Sequence, residues 1–330
     1  MGADSHTCLI RQPSGKLHEL DASQFDEIDR LKEEPGSLVW LDLASPGPAE
    51  LELLRTKLEL HPLALEDLEK RRQRPKVDTY PGQYVVVAYE ILPPATADRM
   101  YEPGEIHLIA TKDAVVSVHW ADSPVIKEVR ERFRRAAPIV SSSVGGLLYA
   151  VLDGIADGYF PLLDRLSDQI EGLEERIVSG RQNKDLLRDV LHVKRQLLEI
   201  RRVVAPMRDV ANALLRRDLE IVDAESVPYY QDLYDHLVRV LDGVDLYRDL
   251  VAAAMDANLS VTNNNLNVIL KRLTAFTVLL MVPTLIAGVY GMNFDLMPEL
   301  SWPFGYPFAL GLMAVSVISL AAFFRSRDWF

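Results

Sequence analysis

Cysteine is nearly absent: Cys8 is the single one among 330 residues. An intrachain disulfide framework is therefore excluded, and the chain suits a reducing compartment. No apolar stretch follows Met1, so no cleavable signal peptide is expected. A phosphate-binding GxxxxGK[ST] loop is missing too, because Gly15-Lys16 lacks both the preceding glycine and the Ser/Thr. Nothing in the sequence suggests ATP as a partner. His61, His107, His119 and His192 show no HExxH-like spacing, and Gly154 to Gly158 carries Asp157 where a nucleophile elbow needs Ser. Enzyme chemistry has no motif to rest on, and no organic cofactor is expected. Charge is scarce in one region above all: from Leu273 to Phe324 there is no Lys or Arg, and the only acids are Asp295 and Glu299.

What is present divides sharply at that border. Of the 36 bases 34 precede Leu273, and of the 48 acids 45 do, so residues 1–272 carry a formal charge of −11. An acidic body argues against nucleic acid as a partner and is compatible with metal cations, although acidity also serves plain solubility. Beyond it, Leu273–Tyr290 and Phe304–Phe324 are charge-free apolar runs. Each is close to the ~20 residues that a helix needs to cross hydrocarbon, so the lipid bilayer is an expected partner. Lys271 and Arg272 flank the first run, Arg325 and Arg327 the second, and the connecting loop has no base. The positive-inside rule then places both termini in the cytoplasm and the loop outside, in an inner (plasma) membrane. Trp302, Tyr306, Trp329 and Phe330 stand where interfacial aromatics are expected.

The expected fold class is an α+β membrane protein. Residues 1–140 form a cytosolic α/β domain, with strand signals at Ser37–Leu43, Tyr84–Ile91, Glu105–Ala110 and Ala114–Trp120. Helical spacing covers Pro48–Leu60 and Pro62–Arg72, and Pro93–Asp98 is a turn-rich connection. Residues 141–225 hold long cytosolic helices, one from about Ser142 to Val178 (stopped by Ser179-Gly180) and one over Lys184–Arg216, kinked or broken at Pro206. Residues 226–272 form a stalk helix, 273–290 the first span, 291–303 the outer loop, 304–324 the second span and 325–330 a cytosolic tail. From Tyr229 to Val282 the helical pattern runs 54 residues, which at 1.5 Å per residue is about 80 Å. A helix that long needs neighbours, and an oligomeric stalk supplies them.

Along the first span Asn267, Leu270, Thr274, Thr277, Met281, Thr284 and Gly288 recur at spacings of 3 and 4. That is a heptad seam facing a common axis. Most of its members are small or polar, whereas Phe276, Leu279, Leu280, Leu285 and Ile286 occupy other faces. Two readings remain open on spacing alone: close packing of transmembrane helices, or a wall whose hydroxyl and amide oxygens contact a hydrated cation. Gly291-Met292-Asn293 ends the helix at the outer face. There Gly lets the backbone turn, Asn offers a neutral oxygen, and the helix-end carbonyls carry the negative end of the dipole. Mg2+, which sheds water reluctantly, could be held through its water shell by such a ring.

Tyr290-Gly291-Met292-Asn293-Phe294 followed by Met297-Pro298-Glu299-Leu300 resembles the signature of CorA-type magnesium transporters. His61-Pro62-Leu63-Ala64-Leu65-Glu66-Asp67 with Gln73-Arg74-Pro75-Lys76-Val77, and Pro228 through His236, match two further stretches of that family in the right order. The resemblance covers roughly residues 35–330. It implies a homopentameric funnel with Mg2+ both as substrate and as regulatory ligand, a Gly291-Met292-Asn293 selectivity filter, and closure by metal bound between cytosolic subunits. The matching regulatory positions are Asp67 with Asp232, and Glu66 with Asp153. Asp256 sits near the inner mouth, and Leu273 joins Asn267, Met281, Thr284 and Asn293 as a carried-over pore position. Where the family has Met in the pore, this chain has Leu270. Asp295 and Glu299 would attract cations to the outer loop.

Passive entry needs no ATP: an interior-negative potential supplies about 4.6 kcal/mol to a divalent ion per 100 mV. Co2+ and Ni2+ could pass as mimics of hydrated Mg2+. The nearest alternative is a Zn2+ transporter of the same architecture, against which stands the absence of His and Cys from Leu237 to Phe330. A membrane-anchored sensor or scaffold is the alternative from another class, and it has no need of a polar seam.

Overall fold

The computed structural model describes residues 6–31, 34–96, 99–179, 185–216, 221–293 and 297–329. The chain opens with β1 (His6–Arg11) and β2 (Leu17–Asp21), a 3-10 turn (Ala22–Glu27) and the one-turn helix α1 (Ile28–Leu31). β3 (Leu38–Ala44), α2 (Pro48–Lys57), α3 (Pro62–Lys70), β4 (Lys76–Tyr80), β5 (Gln83–Leu92), β6 (Glu102–Ala110) and β7 (Ala114–His119) follow. Helices then take over: α4 (Pro124–Arg134), α5 (Val144–Asp157), α6 (Phe160–Val178), α7 (Leu186–Leu215), α8 (Val227–Tyr290) and α9 (Gly305–Ser326), the last two separated by a 3-10 turn (Pro298–Leu300). Two compact units result, Met1–Leu173 with Lys184–Ala252, and Glu174–Asn183 with Ala253–Phe330.

In the first unit seven strands form one sheet in the order β2-β1-β3-β7-β6-β5-β4. β3 and β7 are parallel, with Leu41 opposite Val116; every other pair is antiparallel. Both faces of β3 are covered, which explains why apolar residues occupy both faces of a strand interrupted only by the buried Asp42. Val39, Leu41 and Leu43 pack with Phe25, Leu54, Ala64 and Leu68, while Trp40 on the opposite face meets Phe133 of α4 edge-on at 5.7 Å. α5 lies on β5, β6, β7 and α4, and α7 on β4 and β5.

Three helical stretches are long and apolar enough to cross a membrane: Val144–Val178, Val227–Tyr290 and Gly305–Ser326. Burial separates them. The apolar window of the first is 67% buried within the protein, against 6% and 11% for the others, so its apolarity is already used in the core. The expected pair of spans therefore corresponds to the end of α8 and to α9.

Several expectations need correction. The single helix over Ser142–Val178 is two, parted at Gly158-Tyr159; Pro161 falls in the first turn of α6, where its missing N–H costs nothing. α7 runs through Pro206 without ending. α3 stops at Lys70, because Arg71 and Arg72 take φ of 51° and 54°. Strands β1, β2 and β4 were absent from the sequence reading. The expected stop at Gly180, and Phe330 as an interfacial aromatic, lie outside the described residues.

Candidate functional site

Two places gather the predicted residues. The first is in the unit that carries the sheet, where α5 meets the start of α8. Tyr230, fully buried, donates its hydroxyl to the Gly145 carbonyl at 2.8 Å, and Tyr149 packs against Tyr229 and Tyr230 at 5.4 and 5.9 Å. These contacts bring Asp153 of α5 beside Asp232 and His236 of α8, with ligand atoms all within 4.8 Å of one another. His236 Nδ1 stands 3.8 Å from Asp153 Oδ1 and 3.7 Å from Asp157 Oδ1, and its Nε2 is 3.5 Å from Asp232 Oδ2. Phe160 meets the imidazole edge-on at 5.7 Å.

The electrostatics of this cluster are unbalanced. Burial first, and Asp157 and Asp232 after it, push the Asp153 carboxyl above its ordinary range, opposed by a hydrogen bond with Tyr149 and by His236. Asp153 Oδ1 and His236 Nδ1 are both buried without a hydrogen-bond partner, which is costly unless something else binds them. Two ligands of one ion at about 2.0–2.2 Å lie at most about 4.4 Å apart; with one nitrogen of His236 as ligand the set spans up to 4.8 Å, so a bound cation would draw the three side chains slightly together. The imidazole adds a nitrogen ligand, which suits transition ions better than Mg2+.

Asp153 and Asp232, assigned from the resemblance, are thus together within one chain. Their expected partners are not with them. Asp67 takes Lys76 at 2.6 Å, and Glu66 pairs with Lys70. Asp157 and His236 were missed, although Asp153/Asp157 and Asp232/His236 are each four residues apart on a helix, a spacing that puts both side chains on one face.

The second place is the membrane end of α8. Asn267, Leu270, Leu273, Thr274, Thr277, Met281, Thr284 and Gly288 are all exposed in the single chain. Ala275, Val278, Leu279, Val282, Pro283, Ile286 and Tyr290 form the less exposed face of the same helix. Thr277 donates its hydroxyl to the Leu273 carbonyl at 2.9 Å, and Thr284 to that of Leu280 at 2.7 Å. With each proton committed to the helix, the hydroxyl oxygens offer only lone pairs outward. Thr277, Met281, Thr284, Gly288 and Met292 line one open groove together with the apolar Leu280, Leu285 and Val289.

α8 ends with Gly291 N–H on the Ala287 carbonyl at 2.9 Å. Gly291 does not adopt a positive φ; a Cβ there would stand 3.0 Å from the Ala287 oxygen, so closeness rather than handedness favours glycine. Met292 and Asn293 are exposed beyond it. Glu299 is exposed in the 3-10 turn, whose carbonyl approaches Gly305 so closely that a Cβ would lie 2.0 Å away. Asp295 lies outside the described residues. Asp256 is exposed on α8. At the start of α9, Trp302 groups with Phe304 and Phe308 at 6.1 and 6.0 Å, as interfacial aromatics do.

The sequence profile described as "CorA-like Mg2+ transporter protein" matches residues 35–326. The chain belongs to the CorA family. It is 35% identical to the cobalt/magnesium transport protein CorA of Thermotoga maritima over 271 residues, 82% of this chain and 77% of that one. It is 27% identical to the cobalt/magnesium transport protein CorA of Methanocaldococcus jannaschii over 305 residues, 92% and 95% of the two chains. Its fold matches the complete structure of the CorA magnesium transporter from Methanocaldococcus jannaschii with a TM-score of 0.81, at 25% identity and over 98% of both chains. The α+β class, with an N-terminal α/β domain, a long helix and C-terminal helices, is that of the CorA transporter. CorA proteins are membrane transporters of divalent cations, not enzymes, and the two exposed apolar helices accord with insertion.

Proposed function

We propose that this chain is one subunit of a homopentameric inner-membrane channel through which Mg2+, and secondarily Co2+ and Ni2+, enters the cytoplasm down the membrane potential. The observation that carries this reading is the exposed seam on α8. A face that is left uncovered in one chain, and that presents Thr hydroxyl oxygens whose protons are donated inward to helix carbonyls, suits the inner wall of a ring of copies. Asn293 at the outer end would meet the hydrated ion first, and Glu299 would raise its local concentration. Both termini face the cytoplasm, as the basic residues flanking each span support.

Cytosolic Mg2+ would hold the channel closed. Asp153, Asp232 and His236, with Asp157 beside them, form a cluster that is unfavourable without a cation. Occupancy would favour the arrangement that keeps α5 and α8 together, a shift of populations rather than a new fold. The exposed Glu66 and the half-buried Asp67 would act across subunits. Zn2+ as cargo is less well supported, because the nitrogen ligand lies in the cytosolic cluster and the seam offers one soft group, Met281.

Proteoliposomes loaded with a Mg2+-sensitive dye test this reading. Uptake should increase as the imposed potential becomes more negative inside and should fall when Mg2+ is enclosed on the cytosolic side. Uptake indifferent to potential would contradict passive electrogenic entry.

A further inference from the structure

Residues 70–76 read Lys-Arg-Arg-Gln-Arg-Pro-Lys, five bases without an acid, in a body of opposite net charge. The structure turns this run into a shaped surface. α3 ends at Lys70, and the next two residues both sit in the left-handed region, Arg71 at φ 51° and Arg72 at φ 54°. Non-glycine residues rarely accept that conformation, and Asn or Gly would do so more easily. Glu105 of β6 imposes it: its carboxylate accepts from Arg72 N at 2.6 Å and Gln73 N at 3.0 Å, and lies 2.9 Å from His107 Nε2. Two strained positions are thus occupied by arginines and pinned from beneath, which is the pattern of a side chain held for use.

The resulting cleft, about 780 Å3, is lined by Lys70, Arg71, Arg72, Arg99, Glu105 and Trp120 among others. Arg71 Cζ stands over the Trp120 ring, 4.7 Å from its centroid, so the ring holds the guanidinium in place and leaves its N–H groups for a ligand. Among the described residues Arg71, Arg72 and Arg99 are in no ion pair, whereas Lys70 is paired with Glu66. Among the described residues Glu105 is the single acid on the wall, and its oxygens are occupied by the turn. Tyr89 and Pro103 also line a neighbouring cleft that adds Arg74 and Arg202, together with Arg201, which is paired with Asp245. The cationic surface therefore extends beyond the reach of one phosphate.

We propose that the Arg71–Arg72 turn is a binding site for a polyphosphate chain, such as the triphosphate of a nucleotide free of its metal. Guanidinium forks recognise phosphate oxygens bidentately. Mg2+ chelated by a triphosphate occupies those same oxygens, so the site favours the metal-free form. What binding there would report is the amount of phosphate chain not carrying Mg2+. The proposal does not depend on how the ion crosses the membrane.

Isothermal titration of the full-length chain in detergent, with tripolyphosphate, ATP plus EDTA, ATP plus excess Mg2+, and orthophosphate, tests it. Tripolyphosphate and metal-free ATP should bind saturably, one per chain, and more tightly than Mg2+-ATP or orthophosphate. Arg71→Gln and Arg72→Asn should each weaken binding by about tenfold or more, the second at a backbone conformation that Asn tolerates. Arg188→Gln, far along the sequence at an exposed position of α7, should leave binding unchanged. Equal affinities for ATP and tripolyphosphate identify the phosphate chain alone as the ligand, and tighter ATP adds a contribution from the nucleoside. No saturable binding, orthophosphate as tight as tripolyphosphate, or Arg188→Gln as damaging as Arg71→Gln overturns the proposal.

Discussion

Replacing Asp153 by Asn changes the Asp153–Asp232–His236 cluster in two opposite ways, and the conditions decide which is seen. Asp153 is half-buried, with Asp232 and His236 ligand atoms no more than 4.8 Å from its own. Two unit charges at that separation repel by about 3.5 kcal/mol at an effective dielectric of 20. Asp232 is 56% exposed, so solvent screening reduces this to about 1 kcal/mol. Without metal, Asp153→Asn should therefore raise the melting temperature of the sheet-bearing unit by about 2–4 °C. With Mg2+ at about ten times its dissociation constant, the wild type gains about 1.4 kcal/mol by linkage, and the variant should gain little. The order of stability reverses between EDTA and Mg2+. Differential scanning fluorimetry of the full chain in both buffers reads this directly. A variant less stable than wild type in EDTA, with an undiminished Mg2+ increment, would refute the reasoning.

Glu90 offers a test of buried charge away from the metal cluster. It is 1% exposed, and burial pushes its carboxyl up to about 7, with Ser123 and the Val125 N–H pulling the other way. The folded state then holds this proton more tightly than the unfolded one, so stability falls as pH rises from about 4.5 to about 7. Glu90→Gln should remove that slope and stabilise the protein at pH 8 by up to about 3 kcal/mol, measured by urea unfolding at several pH values. Tyr230→Phe leaves the Gly145 carbonyl without its buried donor and should cost about 1–2 kcal/mol in the same experiment. Thr284→Val removes an outward lone pair without changing shape much; Mg2+ uptake should drop severalfold while the oligomer, followed by size exclusion with light scattering, stays intact.

The membrane end was legible because its information is one-dimensional: charge-free runs, the heptad seam and Gly291-Met292-Asn293 need only spacing. The seam residues from Asn267 to Gly288 are exposed in the single chain, as are Phe276, Leu280 and Leu285 on its other faces. The strands buried on both faces, β3 and β7, are also legible, since apolar residues dominate both faces and only Asp42, Ser117 and His119 interrupt them. Less visible was the β1–β2 hairpin, whose short strands carry charges and whose turn at Gly15, φ 85°, is marked by Pro13-Ser14-Gly15 alone. The break at Pro161 was readable from that proline and was passed over under a long apolar pattern. The Asp153–Asp232–His236 cluster joins helices about 80 residues apart, so its membership depends on how Tyr149, Tyr229 and Tyr230 pack, which no local pattern encodes. Glu105 beneath Arg72 is of the same kind, a contact across 33 residues.

The central claim is that Mg2+ passes the ring of Asn293 side chains. Dye-reported Mg2+ uptake into proteoliposomes at an interior-negative potential, wild type against Asn293→Ala, tests it most directly. The account predicts a potential-dependent signal in the wild type that is lost in a variant of unchanged oligomeric state and melting temperature. Undiminished uptake by Asn293→Ala would contradict it.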